Sequence, residues 1–299
     1  FHVETPSGED RLLRCTSCGI GYNEEVAPPE RTCPTCGSAL VATKGIEVGN
    51  TNTGLGVFDG RRLLVSWRLT SRREQTADEY GVFIQTLLGS QGIERGRITA
   101  VAISNVVPPV QQTLEWTCEK YFGVRPFSVE PGVNVKLPMR VDNPHEVGAD
   151  RLCNAVAAVA LYGPPFIVVD FGTATNFDCV NARGEFIGGA IAPGLTLAAE
   201  ALFARAARLH RVEFVKPKDA IGRNTVTNIQ SGLVYGYAGL VDGLVERIRA
   251  EMDGEPKVIA TGGLATLIQG VARSIQHVNP DLRLEGLRLI WEQAHPQGP

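Results

Sequence analysis

Two stretches of this chain follow one plan, and that repetition constrains the fold more than any other feature. Glu47–Thr53 (EVGNTNT) leads into the apolar run GLGVF at 54–58 and a turn at Asp59-Gly60. Asp170–Asn176 (DFGTATN) follows the apolar run FIVV at 166–169, opens FDCV at 177–180 and reaches a turn at 181–184. Each reads as strand, acid, glycine, small hydroxyl or amide residues, second strand, glycine turn, third strand. Internal similarity of this kind predicts two related halves, each opening with an antiparallel hairpin. The 299 residues suffice for two such units. Between the repeats, Thr76–Glu79 spells a capping box and predicts a helix through about Leu88. Ile98–Ile103 is an apolar run of strand length. Residues 109–122 read as a helix ending at Gly123, and residues 152–162 as another, stopped by Gly163-Pro164-Pro165. Strands alternating with helices predict an α/β fold.

The chemistry this plan suits is the handling of phosphates. Gly49 and Gly172 let the backbone approach a phosphate closely, and Thr51, Thr53, Thr173 and Thr175 offer hydroxyl donors. An acid at each strand end, Glu47 or Asp170, can hold a cation or order water beside the phosphates. One such loop alone is an ordinary hairpin turn; two of one design point to nucleotide phosphates. The chain has no G-x-x-x-x-G-K-[ST] loop, and no G-x-G-x-x-G precedes a helix. A third candidate lies at Asp150-Arg151, at the start of the helix at 152–162. An acid there can simply favour the helix end. The functional alternative is a carboxylate that accepts a hydroxyl proton beside a guanidinium that fixes an acidic substrate.

The pair of loops resembles the actin, Hsp70 and sugar-kinase superfamily, whose two ribonuclease-H-like halves close on ATP. Lys257–Leu264, with Gly262-Gly263, fits the glycine pair that this superfamily places near the adenosine. Six motifs, taken in order, narrow the likeness: Asn50–Thr53, Gly148–Arg151, Asp170–Thr175, Gly188–Gly194, Gly222–Thr225 with Gln230–Gly232, and Ala260–Ala265. Together they resemble type III pantothenate kinase over residues 46–299. The resemblance implies ATP-dependent phosphorylation of pantothenate, the first step of coenzyme A synthesis. It implies MgATP, a potassium or ammonium ion, and a cytoplasmic homodimer. On matching positions it makes Asp150 the proton acceptor and Gly148, Ala149, Asp150, Arg151 and Thr225 the pantothenate contacts. Asp170 becomes the monovalent-cation ligand. Glu47, Val48, Gly49, Asn50, Thr51, Asn52, Thr53, Gly54 and Thr173 become the ATP-binding set. The halves are expected at 46–165 and 166–299. Departures are visible too. Glu47 stands where the family usually has Asp, Val141 where an aromatic is common, and Asn176 where Thr is common. Lys44 and Gly45 fall where a clean apolar strand is expected, and both suit a central buried strand poorly. Gly232, Gly236, Gly239 and Gly243 share one face of a helix expected over 225–252, where another backbone can approach closely. The resemblance places the subunit contact there.

The N-terminal stretch is of another kind. Cys15-x-x-Cys18 and Cys33-x-x-Cys36 are two knuckles fourteen residues apart, a spacing that closes a four-thiolate cage around Zn²⁺ in a ribbon at 1–45. Four sulfurs leave no open position for catalysis. Phe1–Val3, Ser7–Asp10, the first knuckle with Asn23, Cys33–Gly37 and Lys44–Gly49 resemble an internal stretch of bacterial prolyl-tRNA synthetases, without the aminoacylation core that follows in those enzymes. A net charge of −3 disfavours a nucleic-acid coat, and no uninterrupted apolar run is long enough for a membrane helix. Glu9 and Asp10 come too early for a signal peptide, so a cytoplasmic location is expected. Two other readings differ in class. One is a nucleotide-binding, non-catalytic relative that serves transcription. The other is an adaptor working through the zinc ribbon. The intact Asp150-Arg151 pair with both threonine loops favours the enzyme.

Overall fold

The computed structural model of the chain describes residues 12–14, 21–23, 42–206 and 208–296. Cys15, Cys18, Cys33 and Cys36 lie outside the described residues, so the expected zinc ribbon does too. Two short strands before residue 42, β1 (Leu12–Arg14) and β2 (Gly21–Asn23), pair antiparallel.

The body then runs β3 (Ala42–Val48), β4 (Asn52–Asp59), β5 (Arg62–Thr70), α1 (Ala77–Ser90), β6 (Ile98–Asn105), α2 (Gln111–Phe122), β7 (Phe127–Ser128) and α3 (Ala149–Tyr162). It continues with β8 (Phe166–Phe171), β9 (Ala174–Val180), β10 (Phe186–Pro193), α4 (Leu195–Arg205), α5 (Thr225–Glu251), β11 (Lys257–Gly262), α6 (Ala265–Gln269), β12 (His277–Val278) and α7 (Leu282–Ala294). Local chemistry sets several of these boundaries. Thr76 and Glu79 form the expected reciprocal cap of α1, with Thr76 N donating to Glu79 Oε2 at 2.7 Å. Gly123, at φ 66°, ends α2, and Gly163, at φ 70°, ends α3.

The two sheets share one topology. Their orders are β5-β4-β3-β6-β7 and β10-β9-β8-β11-β12. In each, the first three strands form an antiparallel meander, and the leading strand, β3 or β8, pairs parallel with the strand after the crossover, β6 or β11. The repeat read from two loops thus extends to strand order and direction in both halves.

Period-2 alternation sends the residues of each leading strand to opposite faces. Ile46 and Val48 face α1 and α2, packing with Ile84, Leu88 and Leu114. Ile167, Val169 and Phe171 face α4, α5 and α6 on the far side of the second sheet. The inner faces of both sheets close on α3 and α7, where Leu152, Ala155, Phe166, Val168, Leu287 and Ile290 share one cluster. Each fully buried Leu, Ile or Phe in these layers contributes about 1.5–3 kcal/mol. α7, last in the chain, returns to pack on α3. A Cβ at Gly286 would lie 1.8 Å from the carbonyl oxygen of Cys153, so only glycine permits this helix approach.

β3 shows how its two unusual residues are accommodated. Gly45 faces α7, beside Leu284 and Leu287. Lys44 faces the opposite way, into the layer against α2, and is fully buried. Its Nζ has no hydrogen-bond partner among the described residues and lies 4.5 Å from the centre of the Phe122 ring. Burial lowers its pKa to about 7.

Candidate active site

The ends of β3 and β8 bring the two acids to one place. Glu47 and Asp170 both point from the inner faces of their sheets, and both are buried. Arg283, the second residue of α7, spans them: Nη1 donates to Glu47 Oε1 and Nη2 to Asp170 Oδ2. Asn154 of α3 also donates to Asp170 Oδ2, at 2.9 Å. Burial raises the pKa of Glu47, although Arg283 opposes the shift. Burial alone would lower that of Arg283, but Asp170, Glu47 and Asp150 hold it well above its usual value.

The loops after the two strands touch. Thr51 Oγ1 lies 2.6 Å from Thr173 Oγ1, and both residues are exposed. The first loop is braced from behind. Gly49 N donates to Asn52 O at 2.9 Å, and Ser71 Oγ donates to Gly49 O at 2.6 Å. The four candidate hydroxyls therefore divide. Thr53 is buried, its Oγ1 2.9 Å from Ser71 Oγ, and it steadies the loop. Thr175 is fully buried in β9. Strand alternation turns both inward, while Thr51 and Thr173, in the loops just before β4 and β9, stay exposed. The side chain of Val48 is also buried, so it can present only backbone. Asn50 and Asn52 are exposed, and Gly54 lies against Glu47.

β11 runs parallel to β8, with Thr261 opposite Asp170, and so carries Gly262-Gly263 to the same edge. Gly262 adopts φ 91°, and a Cβ there would sit 2.8 Å from Asp170 Oδ1 and 2.6 Å from Phe171 O. Only glycine satisfies both the conformation and the approach.

Asp150 occupies the first turn of α3, after Gly148 and the buried Ala149. Its Oδ1 accepts from Arg151 N at 2.9 Å, and its charge acts on Glu47, Asp178 and Arg283. The charge of this general-base candidate thus bears on the groups that join β3 to β8. Arg151 donates through Nε to Asp178 Oδ1 at 2.6 Å, with its guanidinium carbon 5.5 Å from the centre of the Phe186 ring. Thr225 is exposed at the first position of α5, and no hydrogen bond joins it to Gly148, Ala149, Asp150 or Arg151. Among the described residues no group of three His, Cys, Asp or Glu side chains could hold a metal ion.

Three further residues of the site escape motif reading. Arg283 lies in a helix whose sequence looks like ordinary packing, 113 residues from Asp170. Asn154 follows Asp150 by four positions, after which α3 is apolar to its end at Tyr162, and this spacing places both on one face. Asp178 is an acid inside an apolar strand. These last two carried a signal: a lone polar group at a core position requires a partner.

The family model described as type III pantothenate kinase matches residues 45–247. The type III pantothenate kinase of Myxococcus xanthus is 51% identical over 250 residues, 84% of this chain and 98% of that protein. That of Geobacillus kaustophilus is 50% identical over 248 residues, 83% of this chain and 96% of that protein. Two solved structures share the fold. One, from Campylobacter jejuni, is described as a Baf family transcriptional activator; it has a TM-score of 0.55 at 18% identity and covers 85% of this chain and 98% of its own. The other is component A of (R)-2-hydroxyglutaryl-CoA dehydratase from Acidaminococcus fermentans, with a TM-score of 0.51 at 14% identity, covering 85% of this chain and 99% of its own.

Proposed function

This chain belongs to the type III pantothenate kinase family, and from that premise we propose that it transfers the γ-phosphoryl group of MgATP to the 4′ hydroxyl of pantothenate, the first step of coenzyme A synthesis. The observation that carries the reading is the meeting of the two threonine loops and the bridging of the two acidic strand ends by Arg283, with the charge of Asp150 bearing on Glu47.

In this reading the polyphosphate lies between the loops around Gly49–Thr51 and Thr173, held by backbone N–H groups and two hydroxyls. Asp150 accepts the proton of the pantothenate hydroxyl as its oxygen bonds to the γ-phosphorus. The bond from that phosphorus to the β–γ bridging oxygen breaks, and ADP leaves with the electron pair. Arg151 pairs with the pantothenate carboxylate. Its Nε is committed to Asp178, which leaves the two Nη groups for the substrate. Magnesium arrives with ATP as part of the substrate. Asp170 Oδ1 is buried without a hydrogen-bond partner among the described residues, so the site fits a potassium or ammonium ion at that oxygen. Such an ion would add positive charge beside the phosphates.

A homodimer through α5 belongs to the same proposal. Gly232, Gly236 and Gly239 are exposed, and a Cβ added at any of them meets nothing within 4 Å. Exposed Ile191, Leu197, Ile221 and Val226, from β10 to the start of α5, add apolar surface for a second copy. Thr225 would contact pantothenate within that assembly. The zinc reading of Cys15, Cys18, Cys33 and Cys36 rests on their spacing, and zinc analysis of the purified full chain tests it. No helix among the described residues is long and apolar enough to cross a membrane.

Coupled ADP-release kinetics, with and without pantothenate and with potassium or tetramethylammonium as the monovalent ion, test the activity. The reading expects ADP release that requires pantothenate and rises with potassium. Release at one rate with and without pantothenate would refute it.

A further inference from the structure

Arg283 has no role in the phosphoryl transfer just described, yet it holds the most constrained position in the cleft. Its side chain is 20% exposed, and its two Nη groups reach acids on different sheets, Glu47 at 10% and Asp170 at 2%. Asp150 acts on the same guanidinium from α3. Two carboxylates therefore flank a space beside the two threonine loops, the charge of a third, Asp150, bears on it, and Arg283 is the guanidinium held between the two acids. A triphosphate carries three to four negative charges, so an acid-lined cleft opposes its entry unless cations accompany it. Magnesium brought by the nucleotide offsets part of this. A cation already fixed in the cleft offsets more, and without reorganisation.

The geometry also says which contact can yield. Asp170 is nearly fully buried, and its Oδ2 is held by Asn154 as well as by Arg283. Glu47 is more exposed, with a longer side chain beside Gly54, where no side chain blocks it. The backbone of α7 is pinned by the contact of Gly286 with Cys153 and by Leu284 and Leu287 against β3. Any movement is then confined to the Arg283 side chain. A planar guanidinium can keep one arm on a carboxylate and offer the other to a phosphate.

We propose that Arg283 is the resident cation of the phosphate cleft: when nucleotide binds, its guanidinium keeps Asp170 as anchor and turns from Glu47 to the polyphosphate. The proposal rests on the kinase reading for the location of the nucleotide, but its test does not involve pantothenate. Calorimetric titration of the full chain and of Arg283→Gln and Arg283→Lys with ADP and with inorganic tripolyphosphate, each with and without magnesium, measures the contact. A charge-assisted hydrogen bond lost at a charged site predicts roughly ten- to hundredfold weaker ADP binding in Arg283→Gln. The difference should be larger without magnesium, and Arg283→Lys, which keeps the charge without the fork, should fall between. Unchanged or tighter binding in Arg283→Gln would overturn the proposal, and tighter binding would make Arg283 a latch that nucleotide must displace. A second measurement needs no variant. Phenylglyoxal modification of Arg283, followed by peptide mass, should slow when tripolyphosphate is added to the unaltered chain. Faster or unchanged modification would count against the contact. If the unaltered chain binds ADP through Arg283 but releases no ADP with pantothenate, the kinase reading fails and this one stands.

Discussion

At Asp178 burial and pairing compete, and burial prevails. The carboxyl is fully buried in β9, and its pKa is raised to about 7 in spite of the Arg151 guanidinium. Two consequences follow from the sign of that shift. For stability, a carboxyl whose folded pKa lies above its ordinary value of 3.8 contributes fully below that value, and the contribution is lost as pH rises to about 7. For function, protonation below about pH 7 leaves Arg151 held by a neutral acceptor, so the contact with the substrate carboxylate proposed for it loosens. The KM for pantothenate should therefore rise as pH falls through about 7. Asp178→Asn should raise KM about tenfold at pH 8, with a smaller effect on kcat, and should flatten that pH dependence. Steady-state kinetics from pH 6 to 9 on both proteins check this; parallel pH profiles would remove Asp178 from its positioning role. The residue scale is also where sequence reading reached least far. Glu47, Asp150 and Asp170 were legible because each sits in a short local pattern. Arg283 was not, because its partners come from strands far away in the chain and no local pattern marks a guanidinium for a distant acid.

At the scale of elements, propensity and patterning carried most of the information. The capping box of α1, the glycines closing α2 and α3, and the apolar runs of β6 and β8 are local signals, and the elements lie where those signals put them. Thr53 and Thr175 show the limit of counting residue types, because alternation within β4 and β9 buried two of four hydroxyls that composition alone made equivalent. β3 is the element whose sequence and position disagree. Its Lys44 takes a core place beside Ile46 and Val48 with an unpartnered Nζ. Lys44→Leu should raise unfolding stability by about 1–4 kcal/mol, as replacement of a buried polar group by a packed apolar one does. Urea unfolding should show a higher midpoint at constant slope. The pH dependence has a definite sign. The folded pKa of about 7 lies below the ordinary 10.5, so the unfolded chain binds the extra proton between these values. Stability of the unaltered protein should rise across that window, and Lys44→Leu should lose that rise. A midpoint that fell in the variant would show that the lysine is accommodated in a way its burial does not explain.

For the molecule as a whole, the internal repeat proved the most far-reaching sequence feature. Two loops of one design became two sheets of one topology, with the acids at the ends of their leading strands joined by Arg283 and with α3 and α7 packed between them. The seat of α7 was not legible, because its apolar stripe says that it packs but not on which sheet. The open glycine face of α5 points outward from this body. On the dimer proposed above, Gly236→Leu places a bulky side chain on the contact face and should lower the sedimentation coefficient from that of a dimer to that of a monomer; an unchanged value would contradict a subunit contact on this face. Transfer of labelled phosphate from [γ-³²P]ATP to pantothenate, measured for the unaltered chain and for Asp150→Asn after each is shown to bind ADP, tests the shared cleft most directly. The account predicts labelled phosphopantothenate from the former and a rate at least about a hundredfold lower from the latter, with ADP binding retained. Transfer at full rate by Asp150→Asn, or no labelled product from an unaltered chain that binds ADP, would contradict it.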